Sequence, residues 1–550
     1  MHTLNPKSAI PARHRSRSGE AGGRNPQFHG DPIARSYLLE LPRPSTSDNR
    51  SDERRLREGL LAVSDLKDVD IPLPICRELP TLLRRANYHI RAVILNVDNR
   101  WELVAVDDRY ENPSCYGVAV DLGSTGIVFY LVDLSECGVV DTLTVENPQI
   151  KYGEDILTRI QFASAGDGLQ VLQRVVMECF NKSIKKICEQ HAVRTEDIYA
   201  VSVSGNTTMA HLFLGLDPSH LCKEPYIPVV NTPDMIHAVE LGISIHPRGR
   251  IYVLPNMGSY VGGDILGGIL VSGMYRSNKI SLFVDVGTNA EVILGNSEWM
   301  IACAGAAGPA LEGGVLKCGT RAQKGAIEHV TINRKSLGVS YRTIEDGKPF
   351  GICGSGVIHL LAELFLAGLV DSRGELAVTK DPSRIVDTPH GKGYVVVFAG
   401  ESAHGEDILI TEVDIKNLMR SKGAMFTILS VITQNVGITF EEIKKFFVAG
   451  TFGNYIEPQK AITIGMLPDI PLKRYIPMGN ASGKGAVAVL LSNSKRKELY
   501  RIRDKITYLE MNINADFMSQ FTSSLFLPHT DLSLFPSVAK ALGQPPRSIG

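Results

Sequence analysis

Val120-Asp121-Leu122-Gly123-Ser124-Thr125-Gly126 and Val284-Asp285-Val286-Gly287-Thr288-Asn289-Ala290 are two versions of one local design. Each closes an apolar run and opens another: YGVAVDL then GIVFYLVDL around the first, ISLFVDV then AEVIL around the second. Apolar runs on either side of a Gly/Thr turn predict two β-hairpins. An Asp at the strand end, followed by backbone N–H groups that glycine leaves accessible, suits a metal-bound phosphate. The amides take phosphate oxygens and the carboxylate faces the metal or its water. A single Asp-x-Gly is ordinary turn chemistry; two in matching contexts predict two lobes that close on one nucleotide.

A third element follows in the same order. Phe447-Val448-Ala449-Gly450-Thr451-Phe452-Gly453 is an apolar strand that turns sharply through two glycines. Without side chains, Gly450 and Gly453 let the backbone approach a flat ring or a ribose. Asp121 and Asp285 are the candidates for holding a metal ion or orienting an attacking water. Ser124, Thr125, Thr288 and Asn289 can hydrogen-bond phosphate oxygens. Three familiar sites are absent. GNASGKGA (479–486) has Met478 where a P-loop needs its first glycine, GICGSGV has the wrong spacing for a dinucleotide loop, and no His-Glu-x-x-His occurs.

Around these motifs the chain alternates strands and helices in two halves that each begin with a hairpin, which argues for an α/β protein. Residues 1–36, rich in Arg, Ser, Gly and Pro, are expected to be a disordered tail. Residues 37–60 read as a linker, 61–116 as a small α+β unit with an edge open for pairing, 117–500 as the two-lobed domain, and 501–550 as an extension packed on it. Apolar spacing at Leu169, Leu172, Val176, Phe180, Ile184 and Ile187 predicts a helix over 167–190, and another is expected from Asp414 to Gln434.

The 550 residues carry a formal charge of -1, against a dominant electrostatic role in nucleic-acid binding. No apolar stretch approaches the roughly 18 residues of a membrane span, and the N-terminus lacks the apolar core of a secretory signal. The nine cysteines are scattered without Cys-x-x-Cys or ferredoxin spacing, as expected of reduced cytoplasmic thiols. Cys303, Cys318 and Cys353 lie in Gly-rich stretches where a thiol could be reactive.

The order hairpin, hairpin, glycine turn resembles the superfamily of acetate and sugar kinases, heat-shock chaperones and actin. Gly205 and Gly354 match its two connecting segments, where the lobes hinge. Within it, AVDLGSTGI, NPQIKYGEDILTRI, VSGNTTMAHLFLG, DVGTNAEVIL, GPALEGG, GICGSGVI, FVAGTFGNYI and FLPHTDLSLFPSV together resemble the reductive activators of corrinoid proteins. LLELPRPSTSDNRSDERRL (38–56) is similar to that family's linker, and the likeness runs from about residue 37 to about residue 540. It implies an actin-like (ASKHA) ATPase that couples Mg2+ and ATP to reduction of a Co(II) corrinoid protein to Co(I). It also implies a first phosphate loop of Asp121, Gly123, Ser124 and Thr125, a second of Asp285, Gly287, Thr288 and Asn289, and an adenosine side of Gly450, Thr451 and Gly453. Family members carry Thr where this chain has Ser124, which keeps the hydroxyl. Glu312 and Asp155 are polar residues near these motifs that could contact nucleotide or metal, Asp155 equally a helix cap.

In that family a plant-type [2Fe–2S] ferredoxin domain precedes the linker. Only about 36 cysteine-free residues do so here, and no cysteine follows Cys353. No iron–sulfur cluster is therefore expected in this chain, and the electron is expected from a separate iron–sulfur protein or a domain missing here. The partner expected by resemblance is the corrinoid iron–sulfur protein of a methyltransferase system, with the activator a homodimer through 61–116. A small-molecule kinase of the same superfamily and a non-catalytic nucleotide-binding regulator are the alternative readings.

Overall fold

The computed structural model describes residues 30–287, 289–305, 316–389, 391–450, 456–509 and 517–544. The first unit comprises β1 (Ala34–Glu40), α1 (Asp52–Val63), α2 (Leu73–Arg85), β2 (His89–Val97) and β3 (Arg100–Asp107), its strands antiparallel in the order β1-β2-β3. Ser51 caps α1 by accepting from the Arg54 N–H at 3.2 Å. Leu56 and Leu60 of α1 and Leu79 and Leu83 of α2 pack on Tyr37, Leu39, Ile90 and Leu103 of the sheet. Each such buried leucine contributes about 1.5–3 kcal/mol.

Residues 34–40, divided above between tail and linker, are thus a paired strand, and the unit expected over 61–116 begins at β1. The misreading has a physical cause. Arg35, only 7% exposed, is buried near the start of β1 because Asp31 and Asp65 each accept from its guanidinium at 2.8 Å and the Trp101 ring lies 4.6 Å beneath it. Two of those partners are far away in sequence. Arg91, fully buried, similarly joins this unit to the next by donating to Asp107 (2.6 Å), Asp197 (3.2 Å) and the Tyr199 hydroxyl (3.0 Å).

Two six-stranded sheets follow. The first holds β4 (Tyr116–Leu122), β5 (Gly126–Asp133), β6 (Gly138–Glu146), β7 (Ile198–Gly205), β8 (Ile236–His237) and β9 (Arg250–Val253), in the order β6-β5-β4-β7-β9-β8. Its helices are α3 (Ile156–Ala163), α4 (Gly168–Gln190) and α5 (Thr207–Leu214), and α6 (Gly263–Ser272) leads out of it. The second half contains β10 (Ser281–Val286), β11 (Ala290–Gly295), β12 (Met300–Gly305), β13 (Ala326–Ile332), β14 (Val339–Thr343), β15 (Gly351–Ile352), α7 (Gly354–Leu366), β16 (Ile385–Thr388), β17 (Gly391–Val397), β18 (Ile408–Thr411), α8 (Glu412–Asn435), β19 (Lys445–Ala449), β20 (Tyr475–Gly479) and β21 (Ile506–Tyr508). Its large sheet runs β20-β19-β10-β11-β12-β21. The two sheets share one plan. Each predicted hairpin forms an antiparallel pair, β4–β5 and β10–β11, and the Asp strand is flanked on its other side by a parallel strand, β7 or β19.

Two helices exchange between the sheets. α6 leaves the first sheet and packs on the second, where a Cβ on Gly268 would lie 2.4 Å from the Phe283 ring. The helix Ala481–Leu491 leaves β20 and packs on the first, its Ala486 carbonyl accepting from Ser202 Oγ at 2.8 Å. They cross backbone to backbone, since a Cβ on Gly485 would lie 2.4 Å from the Gly267 Cα.

The boundary expected at residue 500 falls inside a helix, Asn493–Lys505, which continues into β21, the sixth strand of the second sheet. Beyond it, Leu527, Phe535 and Val538 join the core built on α8. There the Lys422 ammonium, fully buried, donates to the carbonyls of Phe526 and, at 2.7 Å, Pro528.

Candidate functional site

Asp121 is the penultimate residue of β4, in register with Ser204 of β7. Its carboxylate accepts from Asn480 Nδ2 at 2.8 Å and from the Ser482 hydroxyl at 2.6 Å. Asn480 also caps the helix Ala481–Leu491, accepting from the Gly483 N–H at 2.7 Å. Asp285 holds the matching place on β10, in register with Ala449 of β19 and opposite Glu291 of β11. Gly450, the next residue after Ala449, has φ +79°, and a Cβ there would lie 2.5 Å from Asp285 Oδ1. Only glycine fits that turn. Asp264 stands in the first turn of α6, close enough to Gly262 that a Cβ there would lie 2.6 Å from its carboxylate.

These carboxylates act on one another. Burial, then Asp264, then Asp121 push Asp285 up to about 7. Asp264 is pushed up to about 7 by burial and by Asp121. Glu291 is raised well above the usual range by burial, Asp264 and Asp285. Asp121 is raised by burial, opposed by the hydrogen bonds from Ser482 and Asn480. Four half-buried carboxylates therefore meet between the two hairpins, where the first turn of α6 and that of Ala481–Leu491 also begin. Helix N-termini favour anions. Such a place suits a cation that itself carries an anion.

The first loop is held from behind. A Cβ on Gly123 would lie 2.6 Å from the Gly126 carbonyl, so the turn admits only glycine there. The Gly123 carbonyl accepts from Asn147 Nδ2 (2.8 Å), that of Thr125 from the Asn147 N–H (2.9 Å), and that of Ser124 from Arg159 Nη2 (2.6 Å). Arg159, fully buried, also donates to the Gly153 carbonyl at 2.8 Å. In the second loop the Gly287 N–H donates to the Asn289 carbonyl at 2.9 Å, which closes the turn, and Asn289 is exposed. Thr288, Thr451, Gly453 and Glu312 lie outside the described residues.

The structure thus brings Asp121, Asp285 and Gly450 together with Gly123, Ser124 and Thr125 of one loop and Gly287 and Asn289 of the other. It adds residues the sequence reading did not pick: Asp264, Glu291, Asn480, Ser482, Asn147 and Arg159. Asn480 and Ser482 belong to the segment set aside as a failed P-loop, and Gly-Gly-Asp264 at a helix start was an available signal. Asp155 does not enter the site; it caps α3, accepting from the Thr158 N–H at 2.8 Å. The cysteines flagged as reactive are not in loops that would activate them. Cys303 is fully buried in β12 and its thiol is raised by burial, as is that of half-buried Cys318. Cys353, buried before α7, donates to the Ile327 carbonyl at 3.2 Å.

The chain matches the reductive-activator (RACo) family along three consecutive stretches. These are its linker region at 23–112, its middle region at 116–277 and its C-terminal ASKHA domain at 279–539. It is 33% identical over 499 residues to the corrinoid activation enzyme RamQ of Eubacterium limosum, covering 89% of this chain and 82% of that protein. The chain belongs to the family of reductive activators of corrinoid proteins. The solved structure of a reductive activator for a corrinoid iron–sulfur protein shares the fold at 39% identity and a TM-score of 0.86, over 93% of this chain and 81% of that one. The chain is also 26% identical over 445 residues, 75% of each chain, to the [Co(II) methylated amine-specific corrinoid protein] reductase of Methanosarcina barkeri. In family terms the unit β1–β3 falls in the linker region and the first six-stranded sheet in the middle region, so the name "middle" belongs to 116–277 rather than to 61–116. The ASKHA domain begins just before β10. No helix among the described residues is long and apolar enough to cross a membrane.

Proposed function

We propose that this protein is an ATP-dependent reductive activator that helps return the Co(II) form of a cytoplasmic corrinoid protein to Co(I). The observation that carries the reading is the meeting of Asp121, Asp264, Asp285 and Glu291 between two hairpin loops, in a chain of this family. The donor set fits Mg2+, a hard cation that takes carboxylate oxygens and keeps waters for phosphate. Asp121 and Asp285 would hold it, with Asp264 and Glu291 behind them. Gly123, Ser124 and Thr125 would take phosphate oxygens from one side and Gly287, Thr288 and Asn289 from the other. Gly450, Thr451 and Gly453 would lie along the adenosine. Bound Mg–ATP supplies a cleavable phosphoanhydride and a charge that the two loops share.

The chain's own residues couple that charge to shape. Asp121 belongs to the first sheet, yet Asn480 and Ser482, which hold its carboxylate, stand on a helix that leaves the second. Neutralising the carboxylates relieves repulsion between the lobes, so nucleotide favours their approach. A ligand shifts a conformational equilibrium only by the difference in its affinities for the two states. The corrinoid partner would sense the lobes through the same equilibrium, and the electron would come from a separate donor. ATP hydrolysis measured with and without a Co(II) corrinoid iron–sulfur protein tests this. Stimulation by that protein, together with formation of Co(I) followed optically in the presence of a low-potential reductant, is the expected result. Phosphate transfer to a metabolite would instead mark a kinase, and binding without turnover a regulator.

A further inference from the structure

A second group of metal-binding side chains lies in the second half of the molecule, apart from the carboxylates above. His329 stands on β13, His359 on α7, and Glu457 immediately before the helix Pro458–Thr463. Their nearest ligand atoms all fall within 4.8 Å of one another. His359 is 2% exposed and its Nε2 has no hydrogen-bond partner. That nitrogen lies 3.7 Å from the Glu457 carboxylate, too far for a hydrogen bond, and the His329 ring stands edge-on to the His359 ring with centroids 4.4 Å apart. A buried polar atom left without a partner is costly, and this one lies within reach of ligand atoms from a second imidazole and a carboxylate, the setting in which an ion would satisfy it.

The scaffold is rigid where it matters. Glu363, one helical turn after His359, accepts from the Ile332 N–H of β13 at 2.9 Å and from the Lys460 ammonium of the helix Pro458–Thr463. A Cβ on Gly356 would lie 2.1 Å from the Ile327 carbonyl, so α7 sits directly on β13. The three elements that carry the ligands are therefore already pinned together. A tetrahedral ion with bonds of about 2.0–2.1 Å needs its ligands about 3.3 Å apart. The His359–Glu457 spacing of 3.7 Å is already close to that value, and Glu457 is the exposed member of the set.

We propose that His329, His359 and Glu457 bind one divalent transition-metal ion of the zinc class, whose preference for imidazole and carboxylate matches this set. Three protein ligands leave a fourth position for water. Glu457 lies a few residues after Gly450, so the ion would anchor the downstream end of the late glycine turn to the β13–α7 layer. The site does not depend on the ATP reading.

The test uses the full chain, stripped with chelator and titrated with Zn2+ against a chromophoric competitor, then with Co2+. One Zn2+ per chain is expected. Its affinity should fall at least about tenfold in His329→Gln and in Glu457→Gln, whose side chains reach the surface and whose loss leaves the fold intact, and also in His359→Gln. Zn2+ should raise the melting temperature of the unsubstituted protein and not of Glu457→Gln. The Co2+ form should show visible ligand-field bands without strong thiolate charge transfer. Absence of a stoichiometric ion, unchanged affinity in His329→Gln and Glu457→Gln, or a thiolate-dominated cobalt spectrum overturns the proposal.

Discussion

Replacing Asp285 by Asn should make the protein markedly more stable at pH 8 and only slightly more stable at pH 4.5. In the folded chain Asp285 is pushed up to about 7 from an ordinary 3.8, by burial and by Asp264 and Asp121. An acid whose folded value is raised holds its proton more tightly when folded. Its contribution to stability is therefore present below the unfolded value and lost as pH rises through 7. The shift is about 3 units, and at about 1.4 kcal/mol per unit the ionised side chain weakens the fold at pH 8 by about 4 kcal/mol. At pH 4.5 the same linkage leaves about 1 kcal/mol. The 4 kcal/mol is an upper figure, because Asp264 and Asp121 share the repulsion and can take up a proton in its place. Asn has the same shape without the charge, so Asp285→Asn should recover most of that difference. The assay is the urea midpoint of both proteins at the two pH values, free of nucleotide and divalent metal. Saturating Mg2+ and ATP at pH 8 should then stabilise the unsubstituted protein more than the variant, whose ATP turnover should be lost. A variant less stable than the original at pH 8, or a gain that is the same at both pH values, would refute the account of the site as strained by its own carboxylates.

Three other substitutions probe how the site is held. Arg159→Met leaves the Ser124 and Gly153 carbonyls without their donor; at about 1–3 kcal/mol for each unpaired group, it should lower stability by about 2–6 kcal/mol and weaken ATP binding, read by urea midpoint and nucleotide titration. Gly485→Ala would add about 1 kcal/mol of helix propensity on an open surface, but its Cβ would meet the Gly267 backbone at 2.4 Å. Forcing the crossing helices apart should outweigh that gain and destabilise by about 1–3 kcal/mol, and a rise in urea midpoint would contradict the tight crossing. Burial holds Lys422 well below its ordinary 10.5, which lowers stability once pH drops under that value. Lys422→Met should therefore raise the melting temperature at pH 7, with an advantage that shrinks as pH approaches 10; a constant or negative effect would show that its two carbonyl partners outweigh desolvation.

The sequence reading failed where charged side chains are buried by distant partners. Arg35 looked like part of a polar tail because Asp65 and Trp101, which neutralise and cover it, are remote in sequence. GNASGKGA was judged only as a phosphate loop. Its function in the fold, to place Asn480 and Ser482 on Asp121, depends on a helix that crosses from the other sheet. Asp264 and Glu291 carry no motif of their own. They matter because α6 begins beside Gly205 and Asn206, and because β11 pairs with β10 in the register that sets Glu291 opposite Asp285.

By itself the sequence determined the local pieces. The two hairpins, the helices over 167–190 and 414–434, and the need for glycine at 450 follow from apolar periodicity and from glycine where no Cβ fits. Family membership was legible for the same reason, since its motifs are short and contiguous. Only the tertiary structure decided that four carboxylates share one space, which of them are raised, and that two imidazoles and a glutamate face each other across three elements. Coulomb energy and burial depend on distance in space, and that distance is settled by how the two sheets and their exchanged helices pack.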